Sequence, residues 1–200
     1  MNTAELCQSI YNPVEKGVFD VILSNDAVTC GVRVVADVTY IAFAGSEDVT
    51  DWMNDIYAVP YNHPKLGYIH RGMFNGMPNI MRKLKPYLKG ALVLTGHSLG
   101  CSHACFVAAL CRSEVAELHL YAPPRAGFKP FCDVVTAKVK IIKAYHNGRD
   151  IVPLVPTMLE WCDVAPLIEL HAPPRWWWRW SLIRWHAVRL YVKGLRSNSG

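Results

Sequence analysis

The chain contains apolar runs of two kinds, some nearly continuous and some spaced as on one face of a helix. Val38–Ala44 and Ala91–Thr95 are nearly continuous apolar runs, which is typical of strands buried on both faces. Other runs predict strands over Val18–Ser24, Val28–Ala36, Val115–Tyr121 and Val139–Tyr145, and helices over Gly72–Leu88 and Leu99–Cys111. Strands that alternate with helices predict an α/β fold with a mostly parallel central sheet and helices on both faces.

Length and composition favour one globular domain over residues 1–200. The 200 residues are 52% hydrophobic and 18% charged, and neither a repeat nor a low-complexity linker divides them. Seven cysteines leave at least one unpaired and form no CxxC motif, which fits a reducing compartment and predicts no metal site. The N-terminal residues have no signal-peptide pattern, and no apolar run reaches transmembrane length. We therefore expect a cytoplasmic or peripheral membrane protein.

The pentapeptide Gly96–Gly100, Gly-His-Ser-Leu-Gly, predicts a nucleophilic serine at Ser98. A G-x-S-x-G pattern alone is weak, but here a predicted buried strand precedes it and a predicted helix follows it. That context is the nucleophile elbow, in which glycines allow a tight turn and the helix start directs N–H groups towards a developing oxyanion. The alternative, an ordinary strand-to-helix turn with a capping serine, is less favoured.

A serine nucleophile needs a base and an acid that orients the base. Asp150 follows the predicted strand Val139–Tyr145 and a short turn, which is where catalytic groups of open α/β sheets lie. In α/β-hydrolases the histidine follows the acid along the chain. Only His171 and His186 satisfy that order, and the residues alone leave both open.

The motifs taken together resemble the class 3 (fungal-type) triacylglycerol lipases over roughly residues 38 to 191. The resemblance rests on Thr39–Ser46 followed by Asp51–Trp52 and Asp55–Ile56, on Ile69–Phe74, on the elbow, on Tyr121–Gly127, on Arg149–Pro153, and on His186–Tyr191. The family usually has arginine at the place of Ala44, and glycine or alanine at the place of Cys101.

This resemblance implies an α/β-hydrolase fold and a catalytic triad. Carried over by position, it makes Ser98 the nucleophile, Asp150 the orienting acid and His186 the base. The backbone N–H groups of Ser46 and Leu99 would form the oxyanion hole. No metal or organic cofactor is implied.

Residues Glu47–Ile56 predict a short amphipathic helix with Val49, Trp52, Met53 and Ile56 on its apolar side. One interpretation is a surface helix packed on the core. The other is a lid that covers the pocket in water and opens at a lipid surface. The sequence favours neither.

The segment over 173–196 is rich in tryptophan and basic residues. Six basic residues and no acidic one lie between Arg175 and Arg196, and four tryptophans are closely spaced. Tryptophan and arginine suit the headgroup region of a bilayer, so Trp176, Trp177, Trp178, Arg179 and Trp180 are predicted to contact an anionic membrane surface. The alternative is that these rings complete the core, and no nucleic-acid motif accompanies them.

The sequence therefore predicts a serine hydrolase that cleaves acyl esters of lipids, of lipase or phospholipase A type. A soluble-ester carboxylesterase or an acyltransferase would use the same residues. The alternative from another class is a membrane-binding module without turnover. The substrate would be a lipid or small ester, and the oligomeric state is left open.

Overall fold

The computed structural model describes residues 1–12, 17–46, 59–158, 160–174 and 182–197. The strands are β1 (Val21–Ser24), β2 (Thr29–Val35), β3 (Val38–Phe43), β4 (Pro60–His63), β5 (Gly67–His70), β6 (Ala91–His97), β7 (Val115–Tyr121), β8 (Gly127–Phe128), β9 (Val139–Asn147), β10 (Trp161–Cys162) and β11 (Leu167–Leu170). The helices are α1 (Thr3–Ser9), α2 (Arg71–Phe74), α3 (Met77–Leu84), α4 (Leu99–Leu110), α5 (Lys129–Lys138), α6 (Leu182–Trp185) and α7 (Val188–Ser197).

Seven strands form a mostly parallel central sheet in the order β1-β2-β3-β6-β7-β9-β11. The β1-β2 and β2-β3 pairs are antiparallel, and β3-β6, β6-β7, β7-β9 and β9-β11 are parallel. The two apolar runs that predicted doubly buried strands are the adjacent strands β3 and β6. The predicted α/β-hydrolase fold is therefore confirmed.

Helices cover both faces of this sheet. The larger core lies between the sheet and helices α4 and α5, and it contains Phe106 of α4 and Phe131 of α5, both fully buried. On the other face, α1 and α7 pack on each other and on β6 and β9. Tyr121 and Tyr191 are the largest fully buried side chains there.

A smaller antiparallel sheet, in the order β10-β8-β5-β4, lies beside the main one. None of its strands was predicted, because they are two to four residues long and show no clear alternation of apolar and polar residues. Helices α1, α5, α6 and α7 and strand β11 were also not predicted.

The single helix predicted over Gly72–Leu88 is wrong, since the structure has two shorter helices there. Gly76 adopts a positive φ of 76° and separates α2 from α3. Its carbonyl oxygen accepts a hydrogen bond of 3.0 Å from the Asn25 amide, which fixes the break against the turn between β1 and β2. Helix α3 then ends at Leu84, ahead of Pro86. The prediction was wrong because the helical spacing of apolar residues continues across Gly76, although the backbone of this glycine interrupts the helix.

In the part of the chain that the structure describes, no helix is both long and apolar enough to cross a membrane.

Candidate active site

Ser98 lies in a sharp turn between β6 and α4, as the pattern predicted. Its φ of 57° and ψ of −130° are a strained conformation for a residue with a side chain. The Ser98 N–H donates to the Tyr121 carbonyl oxygen over 2.9 Å, and the Ser98 carbonyl accepts from the Cys101 N–H over 2.9 Å. These bonds hold the strained residue at the carboxyl end of the sheet.

The glycines on either side of Ser98 allow close backbone contacts. A Cβ on Gly96 would lie 2.3 Å from the Gly100 carbonyl oxygen, and a Cβ on Gly100 would lie 2.3 Å from the Phe43 carbonyl oxygen. Any side chain at either position would therefore push helix α4 off the strands beneath it. The elbow depends on both glycines for packing.

Asp150 follows β9 and is almost completely buried. Its Oδ1 accepts from the Val152 N–H over 2.9 Å, while its Oδ2 accepts from His186 Nδ1 over 2.8 Å and from the Tyr191 hydroxyl over 2.6 Å. Burial alone would raise the pKa of Asp150, but the His186 charge and these hydrogen bonds outweigh burial and hold the pKa below its usual value. The carboxylate is therefore kept ionised in a buried position.

The structure brings His186, not His171, to Asp150. His171 is exposed just after β11 and has no hydrogen bond to Asp150 among the described residues. His186 is buried, and its ring lies 4.5 Å, between centroids, from the ring of His97, the residue before Ser98. The histidine that the family resemblance implied is thus the one that meets the acid.

His97 links the segment of His186 to Tyr11 and Gly45 through hydrogen bonds. Its Nε2 lies 2.7 Å from the His186 carbonyl oxygen, which can only accept, so Nε2 carries the proton. Its Nδ1 then accepts from the Tyr11 hydroxyl over 2.8 Å, and that hydroxyl oxygen accepts from the Gly45 N–H over 2.8 Å. Burial, and secondarily the charge of His186, lower the pKa of His97 to about 3, so the ring is neutral. His97 therefore has a structural role, linking the residue before Ser98 to the segment that carries His186.

Asn147, at the end of β9, fixes the segments on either side of residues 175–181. Its side-chain amide donates to the carbonyl oxygens of Ala172 and Trp185 over 3.1 and 3.2 Å, and its Oδ1 accepts from the Ala172 N–H over 3.0 Å. Its backbone N–H donates to the Tyr191 hydroxyl over 3.2 Å. The short turn before Asp150 was predicted, but these contacts of Asn147 and Tyr191 were not.

His146 supports the backbone of Asp150. Its Nε2 lies 2.8 Å from the Asp150 carbonyl oxygen and its Nδ1 lies 2.5 Å from a carboxylate oxygen of Glu169, on the neighbouring strand β11. The Asp150 carbonyl oxygen can only accept, so His146 Nε2 is the donor in that contact. The loop that carries the acid is therefore anchored to two strands.

Cys101, one of the two departures from the family pattern, fits closely into the elbow. Its fully buried thiol lies 3.0 Å from the Gly96 carbonyl oxygen and 3.2 Å from that of Tyr121. The larger side chain therefore fills the space between helix and strands instead of loosening their packing. All seven cysteines of the chain are free thiols.

Ser98 Oγ and His186 Nε2 are both buried and have no hydrogen-bond partner within the described residues. Ser98 is 0% exposed and His186 is 2% exposed. A nucleophile and a base often acquire their hydrogen bond only when substrate binds. The two reactive atoms are therefore free for chemistry but closed off from solvent.

The two predicted oxyanion donors follow β3 and β6. Leu99 is the first residue of α4, where a helix leaves N–H groups without partners inside it. Ser46 lies two residues after Ala44, whose N–H donates to the Thr29 carbonyl oxygen of β2. Gly45, between them, packs so closely on the elbow that a Cβ there would lie 2.9 Å from Ser98 Cβ. The loop that carries Ser46 therefore contacts the elbow.

Two of the predicted segments cannot be compared with the structure. The lid residues Val49, Trp52, Met53 and Ile56 lie outside the described residues, and so do Trp176, Trp177, Trp178, Arg179 and Trp180. The lid and the membrane contact stay predictions.

A cavity of about 710 Å³ opens beside α2 and α3. Its described lining residues are Val59, Tyr61, His70, Arg71, Gly72, Phe74, Asn75, Gly76 and Pro78. Ser98, Asp150 and His186 are not among them, although α2 packs on α4 through a 3.2 Å contact between Ser102 Oγ and Met73 Sδ. Over the described ranges, no group of three or more His, Cys, Asp or Glu side chains is arranged to hold a metal ion.

Known proteins resemble this chain in both sequence and fold. A lipase from Rhizomucor miehei is 29% identical over 155 residues, which are 69% of this chain and 41% of the relative. The chain thus spans less than half the length of that curated relative. A mutant of MDLA from Penicillium cyclopium has a TM-score of 0.68 at 21% identity, covering 86% of this chain and 77% of that one.

A third relative is a triacylglycerol lipase whose catalytic centre is formed by a serine protease triad. It has a TM-score of 0.62 at 22% identity and covers 85% of this chain and 75% of its own. The family described as "Lipase (class 3)" matches residues 40–160, which contain the elbow and Asp150. Since that match spans more than half of the sequence, the chain belongs to the class 3 lipase family.

Proposed function

We propose that the protein is a serine ester hydrolase that cleaves acyl esters of lipids through an acyl-serine intermediate. The observation that carries the proposal is the buried hydrogen bond between His186 Nδ1 and Asp150 Oδ2, next to a strained serine at the end of β6. An ionised carboxylate fixes the imidazole tautomer and leaves Nε2 as the atom that accepts a proton.

The reaction follows from these positions. Ser98 Oγ attacks the ester carbonyl carbon while His186 Nε2 accepts its proton, and Asp150 stabilises the imidazolium that forms. The N–H groups of Leu99 and Ser46 stabilise the oxyanion, and one such donor typically contributes about 3–4 kcal/mol in the transition state. The alcohol leaves with the proton from His186. Water then attacks the acyl-serine with His186 again as the base, releasing the fatty acid and the free serine.

Labelling with a fluorophosphonate probe tests the nucleophile. The probe should label the wild type and should not label Ser98→Ala. Ser102→Ala is the matched control, because Ser102 is a buried serine one helical turn further along α4 and hydrogen-bonds Met73 instead of the triad. It should be labelled as strongly as the wild type. A wild type without labelling would favour a membrane-binding module that has no turnover.

We further propose that residues 47–56 form a lid. The support is the burial of Ser98 and His186, because a substrate can reach a fully buried nucleophile only if a cover moves. The hydrolysis rate should rise steeply when a short-chain triglyceride passes its solubility limit. Smooth saturation through that limit would contradict the lid.

We also propose that Trp176–Trp180 contact an anionic membrane surface, which would make lipids the preferred substrates over soluble esters. The support is the combination of tryptophan and arginine in the sequence. Comparing p-nitrophenyl esters, triglycerides and phospholipids as substrates tests this preference. Faster turnover of soluble esters than of dispersed lipids would favour a carboxylesterase.

A further inference from the structure

A groove lined by several basic side chains runs between the N-terminal helix α1 and the C-terminal helix α7, apart from the triad. Its volume is about 470 Å³, within the roughly 300–1,000 Å³ that small-molecule sites occupy. The groove is lined by Gln8 of α1 and by Arg189, Val192, Lys193, Arg196 and Ser197 of α7.

Three positive charges lie on the groove side of α7. Arg189, Lys193 and Arg196 are spaced by four and three residues, so they share one helix face, and all three are exposed. Arg196 pairs with Glu5 of α1 over 2.6 Å. Arg189 and Lys193 have no carboxylate partner in the described ranges, and the sequence has no acidic residue after Glu169. The groove therefore has an excess of positive charge.

Helix stability does not account for this arrangement. Basic residues near the C-terminal end of a helix interact favourably with its dipole, which explains Arg196 in the last turn. Arg189 is the second residue of α7, at the end where the dipole disfavours a cation, and the first turn contains no acidic residue. A ligand with negative charge would offset that unfavourable position.

The groove also begins close to the candidate active site. Arg189 follows His186 by three residues, and Tyr191, on the same helix, donates to Asp150. Helix α7 has ten residues and is about 15 Å long, and its basic face begins at Arg189, three residues after His186. A lipid surface bound there would adjoin the site of hydrolysis.

We propose that this groove binds the phosphate group of an anionic lipid at the membrane surface. The Arg189 guanidinium can contact two phosphate oxygens at once, and Lys193 adds a point charge beside it. The bond to Glu5 fixes Arg196 across the groove, and the Gln8 amide supplies further donors. The inference rests on the proposed action at lipid surfaces, and it adds a phosphate contact on α1 and α7 to the membrane contact proposed for the tryptophan segment.

Co-sedimentation with vesicles of ether-linked lipids tests the groove, because such lipids have no acyl ester for the protein to cleave. The vesicles are phosphatidylcholine alone or phosphatidylcholine mixed with phosphatidic acid. The double variant Arg189→Gln/Lys193→Gln should partition to the mixed vesicles roughly 30-fold more weakly than the wild type, because each basic residue near an anionic surface contributes a factor of about five.

The control is Arg82→Gln/Lys85→Gln, which removes the same charges from exposed positions in and just after α3. It should bind the mixed vesicles within a few fold of the wild type, and thermal melting checks that both variants are folded. If both variants bound the mixed vesicles equally weakly, the loss would be a general effect of net charge, and the proposal would be overturned. Unchanged binding by the Arg189/Lys193 variant would also overturn it.

Two further measurements are needed. One distinguishes free phosphate from a lipid headgroup as the bound group, and the other tests the hydrolase activity independently of the groove. Displacement from vesicles by inorganic phosphate at constant ionic strength would identify phosphate itself as the recognised group, while retention would identify the headgroup held in a surface. A wild type that binds neither vesicle overturns the groove as a docking site. Hydrolysis of a soluble p-nitrophenyl ester by the wild type, lost in Ser98→Ala, reports on the hydrolase independently of that result.

Discussion

Tyr191 donates its hydroxyl hydrogen to Asp150 Oδ2 over 2.6 Å, and the same oxygen accepts from His186 Nδ1 over 2.8 Å. Tyr191 follows His186 by five residues, so one short segment supplies two donors to one buried carboxylate oxygen. The phenol and the imidazole thus share the task of keeping Asp150 ionised without solvent.

Tyr191→Phe should destabilise the protein and slow turnover. Losing a hydrogen bond to a charged acceptor costs about 1.5–3 kcal/mol, and the Asn147 N–H loses its acceptor as well. The pKa of Asp150 should rise, because one of the bonds that lower it is removed. Urea denaturation measures the free energy of unfolding, and a pH profile of kcat measures the change in the pKa of Asp150.

Tyr145→Phe is the matched control. Tyr145 is also buried and stacks on Tyr121 with 5.3 Å between ring centroids, but its hydroxyl makes no hydrogen bond to the described residues. It should lose less than about 1 kcal/mol, as is usual when no polar partner is abandoned. Equal losses in both variants would contradict the role given to Tyr191.

The sheet, Ser98 and Asp150 were predictable because each follows from a local pattern in the sequence. A parallel strand buried on both faces is a continuous apolar run, and β3 and β6 end within two residues of their predicted limits. The turn at Ser98 needs glycines at fixed positions, and Asp150 follows a strand. Choosing His186 over His171 required the family resemblance.

The polar contacts that support the site have no recognisable local pattern in the sequence. Tyr11 and His97 are 86 residues apart, and nothing near Tyr11 indicates that its hydroxyl joins Gly45 to the elbow. Asn147 is indistinguishable from an ordinary turn asparagine until Ala172 and Trp185 are brought to it. Contacts between distant segments depend on the folded topology, which local periodicity does not specify.

Gly100→Ala should disrupt the elbow. The new Cβ would lie 2.3 Å from the Phe43 carbonyl oxygen and 2.8 Å from that of Ala44, and neither backbone atom can rotate away as a side chain would. Overpacking of this kind typically costs about 1–3 kcal/mol, and the shift of α4 should remove most of the activity. Thermal melting and ester hydrolysis measure the two effects.

Gly72→Ala is the control for the loss of stability expected in Gly100→Ala. Gly72 lies within α2, and a Cβ there would be 3.4 Å from the nearest atom, which is ordinary contact. Alanine favours a helix over glycine by about 1 kcal/mol, so this variant should be at least as stable as the wild type. Similar destabilisation by both substitutions would mean that the elbow has no special packing requirement.

Tyr11→Phe should lower kcat more than it raises KM. The Gly45 N–H would lose its acceptor and His97 Nδ1 its donor, at a cost of about 1–3 kcal/mol for each buried group left unpaired. The loop that carries Ser46 would become less fixed, which weakens stabilisation of the oxyanion and not the binding of substrate. Tyr68→Phe, an exposed tyrosine, should behave as the wild type. A rise in KM alone would contradict this account.

Three of the buried histidines, His70, His97 and His103, should make the protein sensitive to mild acid. Burial lowers the pKa of His70 to about 4, of His97 to about 3 and of His103 to about 4, whereas an unfolded chain binds these protons near pH 6.5. Between those values the unfolded state holds more protons than the folded state, so stability falls as the pH falls. Each histidine contributes a slope of up to about 1.4 kcal/mol per pH unit.

The free energy of unfolding should therefore be constant near neutral pH and decline from about pH 6.5 to pH 4, ahead of the further loss expected when Asp150 is protonated. His103→Leu isolates one contribution. The His103 ring is buried in α4, and its Nδ1 has no partner among the described residues, so leucine removes a titrating group without breaking a bond at that atom. Urea denaturation across this pH range should give a slope that is smaller in the variant by up to about 1.4 kcal/mol per pH unit. A slope equal to that of the wild type would mean that His103 stays uncharged in the unfolded chain or takes a proton in the folded one, and either would contradict the pKa derived from its burial.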